Sequence, residues 1–321
     1  MFIPVEIIEN EKSWMERRCD SSLWNPVVET ILDGHKDLLG LSVTYYKTGS
    51  AVVSAIGQKA VVKILPPEDI DCFNKELCAL TICNKGLDIP TPVVIGSGRF
   101  EGCPYLVMEQ LEGQQLSEVW DSMSLDKQTH IIDSIGKLSK SLHRLSTDDD
   151  SSLNFLGIDG PNFIKKQIET ATKRQHSRKL PDKWCSQIDS FLAKHSESLL
   201  AGCSKALLHT EIMTDHFLIE QKAGQWKISG LFDFADSMLG NPYYELSAVG
   251  LFISAGNRKL LQTFLLSYRF SEDELNEEFS QRMMAWTLCH KYCHIPWYLE
   301  MNSPSRDETT LEHLALKWFA L

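Results

Sequence analysis

Short runs of alternating apolar and polar residues dominate the first third of the chain. Glycine, proline or serine separates most of these runs, and β-branched and aromatic residues are frequent within them, as in an antiparallel meander. Residues 66–86 instead repeat apolar side chains at a helical period and stop at Gly86, which predicts a helix inside the sheet region. A further helical segment is predicted ahead of the sheet, over 12–35. The predicted strands cover 42–50, 51–57, 59–65, 91–98 and 103–111.

The hydrophobic pattern changes after Gly113, and long helical periods replace the short strands. Helices are predicted over 115–146, over 161–200 and, with interruptions, from 242 to the end, and 238–252 is assigned to a helical continuation. Short strands return at 206–208, 217–220 and 226–232. Strands followed by helices indicate an α+β fold with two lobes. We place the lobes at residues 1–112, with a five-stranded sheet, and 113–321, which is mainly helical.

Bulk composition narrows the possible partners. The chain has 321 residues, 43% hydrophobic and 23% charged, with a formal net charge of −11. An acidic protein is a poor partner for nucleic acid or for an anionic membrane surface. The charge suits a cationic ligand, although acidic surfaces also simply keep proteins soluble. No secretory signal and no run of about 18 apolar residues is visible, so we expect a cytoplasmic protein without a membrane span.

Nine cysteines lie along the chain without a CxxC motif. Apolar surroundings predict reduced, buried thiols. The segment Cys-His-Lys-Tyr-Cys-His at 289–294 offers a second interpretation as metal ligands, but one helix without a second ligand cluster is a weak zinc motif.

Three candidate features for nucleotide chemistry follow the chain order. Lys63 lies in a predicted strand and Glu76 in the next helix, an arrangement that can bind the α- and β-phosphates of a nucleotide. By themselves these two residues also fit a solvent-facing lysine beside an unrelated glutamate. A predicted strand ends at 108–111, where the hydrophobic pattern changes, and its backbone groups are candidates for contacts with a nucleotide base. Any edge strand followed by a turn would look the same.

The stretch 207–236 is more specific. It reads as strand, loop, strand, turn and strand, and it places Glu211, His216 and Asp233 at one end of a small sheet. One carboxylate there can orient an acceptor hydroxyl and take its proton. A second carboxylate with one more ligand can bind Mg²⁺ on the phosphates.

The order of Lys63, Glu76, the segment 108–113, His209-x-Glu211, His216 and Asp233-Phe234 resembles the aminoglycoside phosphotransferase family. The stretch MLGNPYYELSAVGLF at 238–252 resembles the segment that follows the Ile-Asp-Phe motif of that family. The blocks LLHTEIM, GLFDF and YELSAVGLF are most similar to the hygromycin B 7''-O-kinase-like subgroup.

The resemblance implies a protein-kinase-like fold and transfer of the γ-phosphate of ATP or GTP, with Mg²⁺, to a hydroxyl of a small molecule. Catalytic roles then fall on Glu211 and on His209, which would hold the loop by packing and hydrogen bonding. Metal binding falls on Asp233 and His216. The nucleotide-binding residues are Lys63, Glu76, Gly49, Ser50, Glu109 and Leu111.

Two departures from the family pattern affect the expected chemistry. The family has Asp where this chain has Glu211, and a metal-binding Asn where it has His216. Glutamate keeps the carboxylate, whereas imidazole is a poor ligand for Mg²⁺. We therefore expect an active phosphotransferase, with a nucleotide- or partner-binding pseudoenzyme as the alternative.

The acceptor is expected to be a cationic aminocyclitol or aminoglycoside-like molecule, and the protein a monomer or weak dimer. Acidic side chains of the helical lobe are candidates to bind the acceptor, and aromatic ones to stack on a sugar ring, although such residues also occur on solvated helix faces and in cores. These candidates are Glu245, Glu300, Asp307, Glu308, Trp286, Trp297, Tyr298 and Trp318.

Overall fold

The computed structural model describes residues 11–147, 154–157, 160–201, 205–302 and 309–321. Its amino-terminal part is a five-stranded antiparallel sheet in the order β1-β2-β3-β5-β4. The antiparallel meander predicted from the alternating runs is confirmed, with shorter strands than predicted. Its strands are β1 (Val43–Tyr45), β2 (Val52–Ile56), β3 (Ala60–Ile64), β4 (Val94–Phe100) and β5 (Cys103–Glu109).

Two helices, rather than the single predicted one, precede the sheet. They are α1 (Glu11–Arg17) and α2 (Ser21–Leu32). The break falls at Asp20, whose carboxylate accepts the Ser22 N–H at 3.1 Å and thereby caps α2. Both helices cover the outer face of the sheet, where Trp24 and Val28 pack in one cluster with Val62 and Ile64.

Alternation along β3 sends its side chains to two different faces of the sheet. Val62 and Ile64 point outward to the leading helices, whereas Lys63 points to the inner face. On that face the helix α3 (Ile70–Gly86) packs and brings Glu76 to Lys63. The period-two pattern of one short strand therefore places a lysine in the cleft and apolar residues in the core.

The rest of the described chain is mainly helical. Its strands are β6 (Gln114–Gln115), β7 (Ala206–Leu208), β8 (Phe217–Lys222), β9 (Gln225–Leu231) and β10 (Met238–Gly240). Its helices are α4 (Leu125–Leu142), α5 (Gly160–Ser177), α6 (Asp182–Leu200), α7 (Tyr243–Ala248), α8 (Arg258–Tyr268), α9 (Glu277–Cys289), α10 (Ile295–Met301) and α11 (Leu311–Trp318), and a π-helix spans Val249–Ser254.

The strand Met238–Gly240 corrects the sequence prediction, which gave the whole of 238–252 to a helix. These residues pair antiparallel with Ala206–Leu208. The helix begins only after Pro242, since proline has no backbone N–H and is favoured at the start of a helix, where no N–H donor is needed. The pairing joins the two ends of the predicted catalytic segment, so the loop after Leu208 and the loop after Leu231 lie together.

The described cysteines are free thiols. Cys289 and Cys293 are buried, and burial raises the pKa of each to about 12. Within the described ranges, no group of three His, Cys, Asp or Glu side chains is arranged to bind a metal ion. No described helix is long and apolar enough to cross a membrane.

Candidate active site

An ion-pair network joins the two lobes. The Lys63 Nζ atom lies 2.7 Å from Glu76 Oε2 and 2.8 Å from Asp233 Oδ1. Glu76 comes from α3, just after the strand of Lys63, and Asp233 comes from the loop after β9, 170 residues further along the chain. The structure thus brings together three residues that the sequence singled out separately.

Electrostatics hold Lys63 and Asp233 in their charged forms, whereas burial raises the pKa of Glu76. Burial opposes the charge of Lys63, but the Asp233 and Glu76 carboxylates outweigh it and raise the pKa of Lys63. Lys63 in turn lowers the pKa of Asp233. The Asp233 side chain is 42% exposed, and its backbone has a φ of +67°, a left-handed conformation that costs free energy for a residue with a Cβ.

His209 fixes the loop that follows β7. Its Nε2–H donates to the Phe232 carbonyl at 2.9 Å, and its Nδ1 accepts the Glu211 N–H at 3.4 Å. Burial lowers the pKa of His209 to about 4, which agrees with a neutral ring that donates at one nitrogen and accepts at the other. The side chain is fully buried and packs on Phe234, so it positions the loop from behind.

His216 faces the cleft with one nitrogen already committed. Its Nδ1 lies 2.8 Å from the Glu211 carbonyl oxygen. A carbonyl only accepts, so Nδ1 carries the hydrogen. In the neutral ring the Nε2 lone pair is then free, and this atom lies 3.9 Å from Asp233 Oδ2. Asp215, the neighbour of His216, is exposed.

A nitrogen and an oxygen donor at this separation fit a divalent ion placed between them. Mg²⁺ favours oxygen ligands, whereas Mn²⁺ accepts imidazole more readily. The donor set therefore fits a metal ion bound by Asp233 and His216, with the remaining ligands from phosphate and water.

Glu211 lines a pocket in the helical lobe. Burial raises the pKa of its carboxyl, and Asp236 and Asp233 add to the shift while His216 opposes it. Its backbone N–H and C=O are both engaged, with His209 and His216. The side chain is thus aimed by a loop that is held at two points.

The predicted phosphate-binding turn lies between β1 and β2. Gly49 has a φ of +84°, a conformation that glycine adopts without strain. The Ser50 carbonyl accepts a 2.7 Å hydrogen bond from the indole N–H of Trp14. The leading helix α1 therefore fixes this turn, a role that the sequence did not suggest.

Two backbone N–H groups of the segment that connects the lobes are already hydrogen-bonded within the sheet. The Glu109 N–H donates to Val93 and the Gln110 N–H donates to Lys59, each at 2.9 Å. Hydrogen bonds between a nucleotide base and this segment would be made by its backbone carbonyl groups and by the Leu111 N–H. The Leu111 side chain packs closely on Gly230 of β9, so that a Cβ there would lie 2.8 Å from it.

Glu245 does not lie where the sequence prediction placed it. Its Oε1 lies 2.6 Å from His143 Nε2, and its Oε2 accepts the Thr210 N–H at 2.7 Å. His143 Nδ1 lies 2.8 Å from the Tyr268 hydroxyl. All of Glu245 is buried, so it holds the loop that follows β7 and is shielded from an acceptor.

The pocket beside Glu211 contains only some of the predicted acceptor residues. Trp297 and Tyr298 line it, together with Phe252 and Tyr292. Trp286 and Trp318 are buried core residues. Glu300 is exposed and is not part of the lining. Asp307 and Glu308 lie outside the described residues.

Near Glu211 lie Asp236, which the sequence left open between a supporting role in the site and the surface, and two side chains that were not predicted there, Lys291 and Tyr292. Asp236 forms an ion pair with Lys291 and accepts the Tyr292 hydroxyl at 3.0 Å. Lys291 and Tyr292 belong to the segment that the sequence offered as a metal site. The adjacent cysteines drew the metal interpretation, and no local pattern pairs Lys291 with Asp236, 55 residues away.

A model of the phosphotransferase enzyme family matches residues 42–277, which is more than two thirds of the chain. The chain belongs to this family. The matched residues of this phosphotransferase include the Lys63 network, the catalytic loop and the π-helix.

Several solved structures have the same fold as this chain at low sequence identity. The GDP complex of wild-type aminoglycoside 2'-phosphotransferase-IIIa has 16% identity and a TM-score of 0.68, covering 92% of this chain and 96% of the other. The streptomycin-ATP-APH(2")-IIa ternary complex has 13% identity and a TM-score of 0.58, with 81% and 90% covered. Macrolide 2'-phosphotransferase MphH from Brachybacterium faecium has 14% identity and a TM-score of 0.56, with 88% and 99% covered. These likenesses establish the two-lobed kinase-like fold predicted from the sequence.

Proposed function

We propose that this phosphotransferase moves the γ-phosphate of ATP or GTP to a hydroxyl of a small molecule. The observation that carries the proposal is the bridge from Lys63 Nζ to both Glu76 and Asp233 across the cleft. Taking charged groups out of water is costly unless they are paired. A buried lysine between two carboxylates from different lobes is costly to build and is suited to phosphate binding. For this reason the pseudoenzyme alternative is not favoured.

In the proposed roles, the nucleotide lies between the lobes. Lys63, oriented by Glu76, binds phosphate oxygens, and the backbone of Gly49 and Ser50 approaches the phosphates from above. The connection at Glu109 and Leu111 contacts the base. The predicted boundary between the lobes, at residues 112 and 113, would then coincide with the back of the nucleotide site.

Glu211 would take the proton of the acceptor hydroxyl. The hydroxyl oxygen forms a bond to the γ-phosphorus, the bond from that phosphorus to the bridging oxygen breaks, and the nucleoside diphosphate leaves. The raised pKa of Glu211 makes it a better proton acceptor than an ordinary carboxylate. When bound, a divalent metal ion neutralises charge on the phosphates. Asp233 and His216 would bind that ion.

Phosphate transfer from γ-labelled ATP and GTP tests this proposal. The acceptor panel begins with the predicted cationic aminocyclitols, headed by hygromycin B, and includes neutral alcohols. Mg²⁺ and Mn²⁺ are compared because of the imidazole at 216. Transfer to at least one acceptor, absent in Lys63→Met, supports the proposal. Nucleotide-dependent stabilisation without transfer to any acceptor would favour the pseudoenzyme.

A further inference from the structure

Two exposed aromatic side chains meet at one pocket. Tyr292 is 48% exposed and Trp297 is 46% exposed, and both line the same pocket as Glu211. Large aromatic side chains are usually buried, so two beside a candidate catalytic carboxylate indicate a ligand surface. Trp297 offers a flat platform at the mouth of this pocket.

A second part of the lining comes from the π-helix Val249–Ser254. Leu251 and Phe252 of this helix line the pocket, and the Phe252 ring lies 5.5 Å from the Trp297 ring. A π-helix is rare and is found mostly at functional sites, because it displaces side chains from their regular helical positions. Here it sets Phe252 against Trp297, and the pair forms an aromatic corner.

The charged groups around the pocket do not favour an acceptor with several positive charges. Glu211 is the one carboxylate among the described lining residues. Asp236, the neighbouring carboxylate, is already paired with Lys291 and with the Tyr292 hydroxyl. Glu245 is sealed behind Thr210. Among the described lining residues, an acceptor with several ammonium groups would therefore meet a single carboxylate.

We propose that the acceptor is an alcohol with a flat apolar ring and at most one cationic group. Its ring would stack on Trp297 and contact Phe252, and its hydroxyl would lie at Glu211. This inference rests on the proposed function and changes the acceptor class that the sequence predicts.

Matched pairs of alcohols test the inference. Phenyl β-D-glucoside is compared with methyl β-D-glucoside, phenyl β-D-galactoside with its methyl counterpart, and both pairs with hygromycin B and kanamycin. Binding is measured by calorimetry in the presence of a non-hydrolysable ATP analogue, and transfer is measured separately. Trp297→Ala removes the platform, and Phe155→Ala removes an aromatic side chain of similar exposure that is not part of the lining.

The expected result is binding of each phenyl glycoside at least about ten-fold tighter than of its methyl partner, a preference that aromatic stacking and burial can supply. Trp297→Ala should abolish this preference and Phe155→Ala should keep it. Phe252→Leu, a milder change, should reduce it. Equal binding of the paired glycosides, or a phenyl preference that survives Trp297→Ala, overturns the inference.

Binding and transfer separate the two levels of the proposal. Transfer to aminocyclitols without any phenyl preference would leave the phosphotransferase function intact and overturn the acceptor class. Binding of phenyl glycosides that depends on Trp297, without transfer to any acceptor, would support the pocket chemistry and count against the proposed function.

Discussion

Two carboxylates at the centre of this molecule, Asp233 and Glu245, differ in how many of their oxygen atoms are already engaged. In the cleft, Asp233 uses Oδ1 for Lys63 and leaves Oδ2 facing His216 at 3.9 Å. Behind the catalytic loop, Glu245 uses Oε1 for His143 and Oε2 for the Thr210 N–H. Asp233 is 42% exposed, whereas His143 and Glu245 are 3% and 0% exposed. We call Asp233 with Lys63 the open pair, because Asp233 Oδ2 remains available to a ligand. We call Glu245 with His143 the sealed pair, because both carboxylate oxygens of Glu245 are engaged in holding the loop.

The comparison predicts losses of stability of different size for two similar substitutions. Glu245→Gln should lower the free energy of unfolding by about 3 kcal/mol, since the uncharged amide weakens two buried hydrogen bonds, with His143 Nε2 and with the Thr210 N–H. Asp233→Asn should cost much less, because its side chain is half-exposed and Lys63 keeps Glu76. Urea unfolding measures both, with the exposed Glu300→Gln as control. Equal losses in the two variants would contradict the distinction.

Acid should destabilise the wall of the acceptor pocket. Burial lowers the pKa of His290 from an ordinary 6.5 to about 4, Lys291 and Arg174 add to the shift, and Asp236 opposes it. The unfolded chain therefore takes up a proton at a higher pH than the folded chain. Stability from this group is full above pH 6.5 and is lost as the pH falls towards 4.

This contribution is about 3 kcal/mol over the whole window. Urea unfolding between pH 7.5 and 4.5 measures it, and His290→Asn should flatten the dependence relative to the wild type. An unchanged slope in the variant would assign the acid sensitivity to other groups.

The preference of the protein for Mg²⁺ or Mn²⁺ should show whether His216 is a ligand of the metal ion bound at the open pair. Replacing an imidazole nitrogen with an amide oxygen in His216→Asn should shift the ratio of Mg²⁺- to Mn²⁺-supported kcat/KM towards Mg²⁺ by about ten-fold. Electron paramagnetic resonance of bound Mn²⁺ should lose its coupling to nitrogen in the variant. A nitrogen coupling that persists would show that His216 is not a ligand.

The smallest effect concerns the turn that Glu245 holds. Thr210 has a φ of +74°, which a β-branched residue adopts only under strain. Thr210→Gly should therefore be more stable than Thr210→Ala by about 1 kcal/mol, the reverse of the usual order in regular structure. Thermal unfolding of the two variants compares their stabilities directly. If Thr210→Ala is the more stable variant, the backbone at this position is not strained.

Sequence patterns located the open pair and missed the sealed one. Lys63, Glu76 and Asp233 each lie in a recognisable local element, and their order along the chain indicates their meeting. Glu245 and His143 are 102 residues apart, and no periodicity links a helix residue to a distant histidine. Helical spacing likewise could not separate exposed Trp297 from buried Trp286 and Trp318, because exposure there depends on tertiary packing.

The five-stranded sheet and the lobed organisation followed from strand and helix periods, whereas the short strand Met238–Gly240 did not. Three residues beside a Gly-Asn-Pro turn contain too little pattern to distinguish a strand from the start of a helix. Pairing with Ala206–Leu208 makes this segment a strand, and that pairing is a long-range contact.

The most direct test of an active open pair is phosphate transfer by Asp233→Ala. The matched control is Asp126→Ala, which removes a carboxylate that is 96% exposed on α4. With the acceptor that the wild-type protein phosphorylates, we expect Asp233→Ala to lose about a thousand-fold or more in kcat/KM and Asp126→Ala to match the wild type. Transfer by Asp233→Ala at the wild-type rate would contradict the assignment of the Lys63–Asp233 cleft as the catalytic centre.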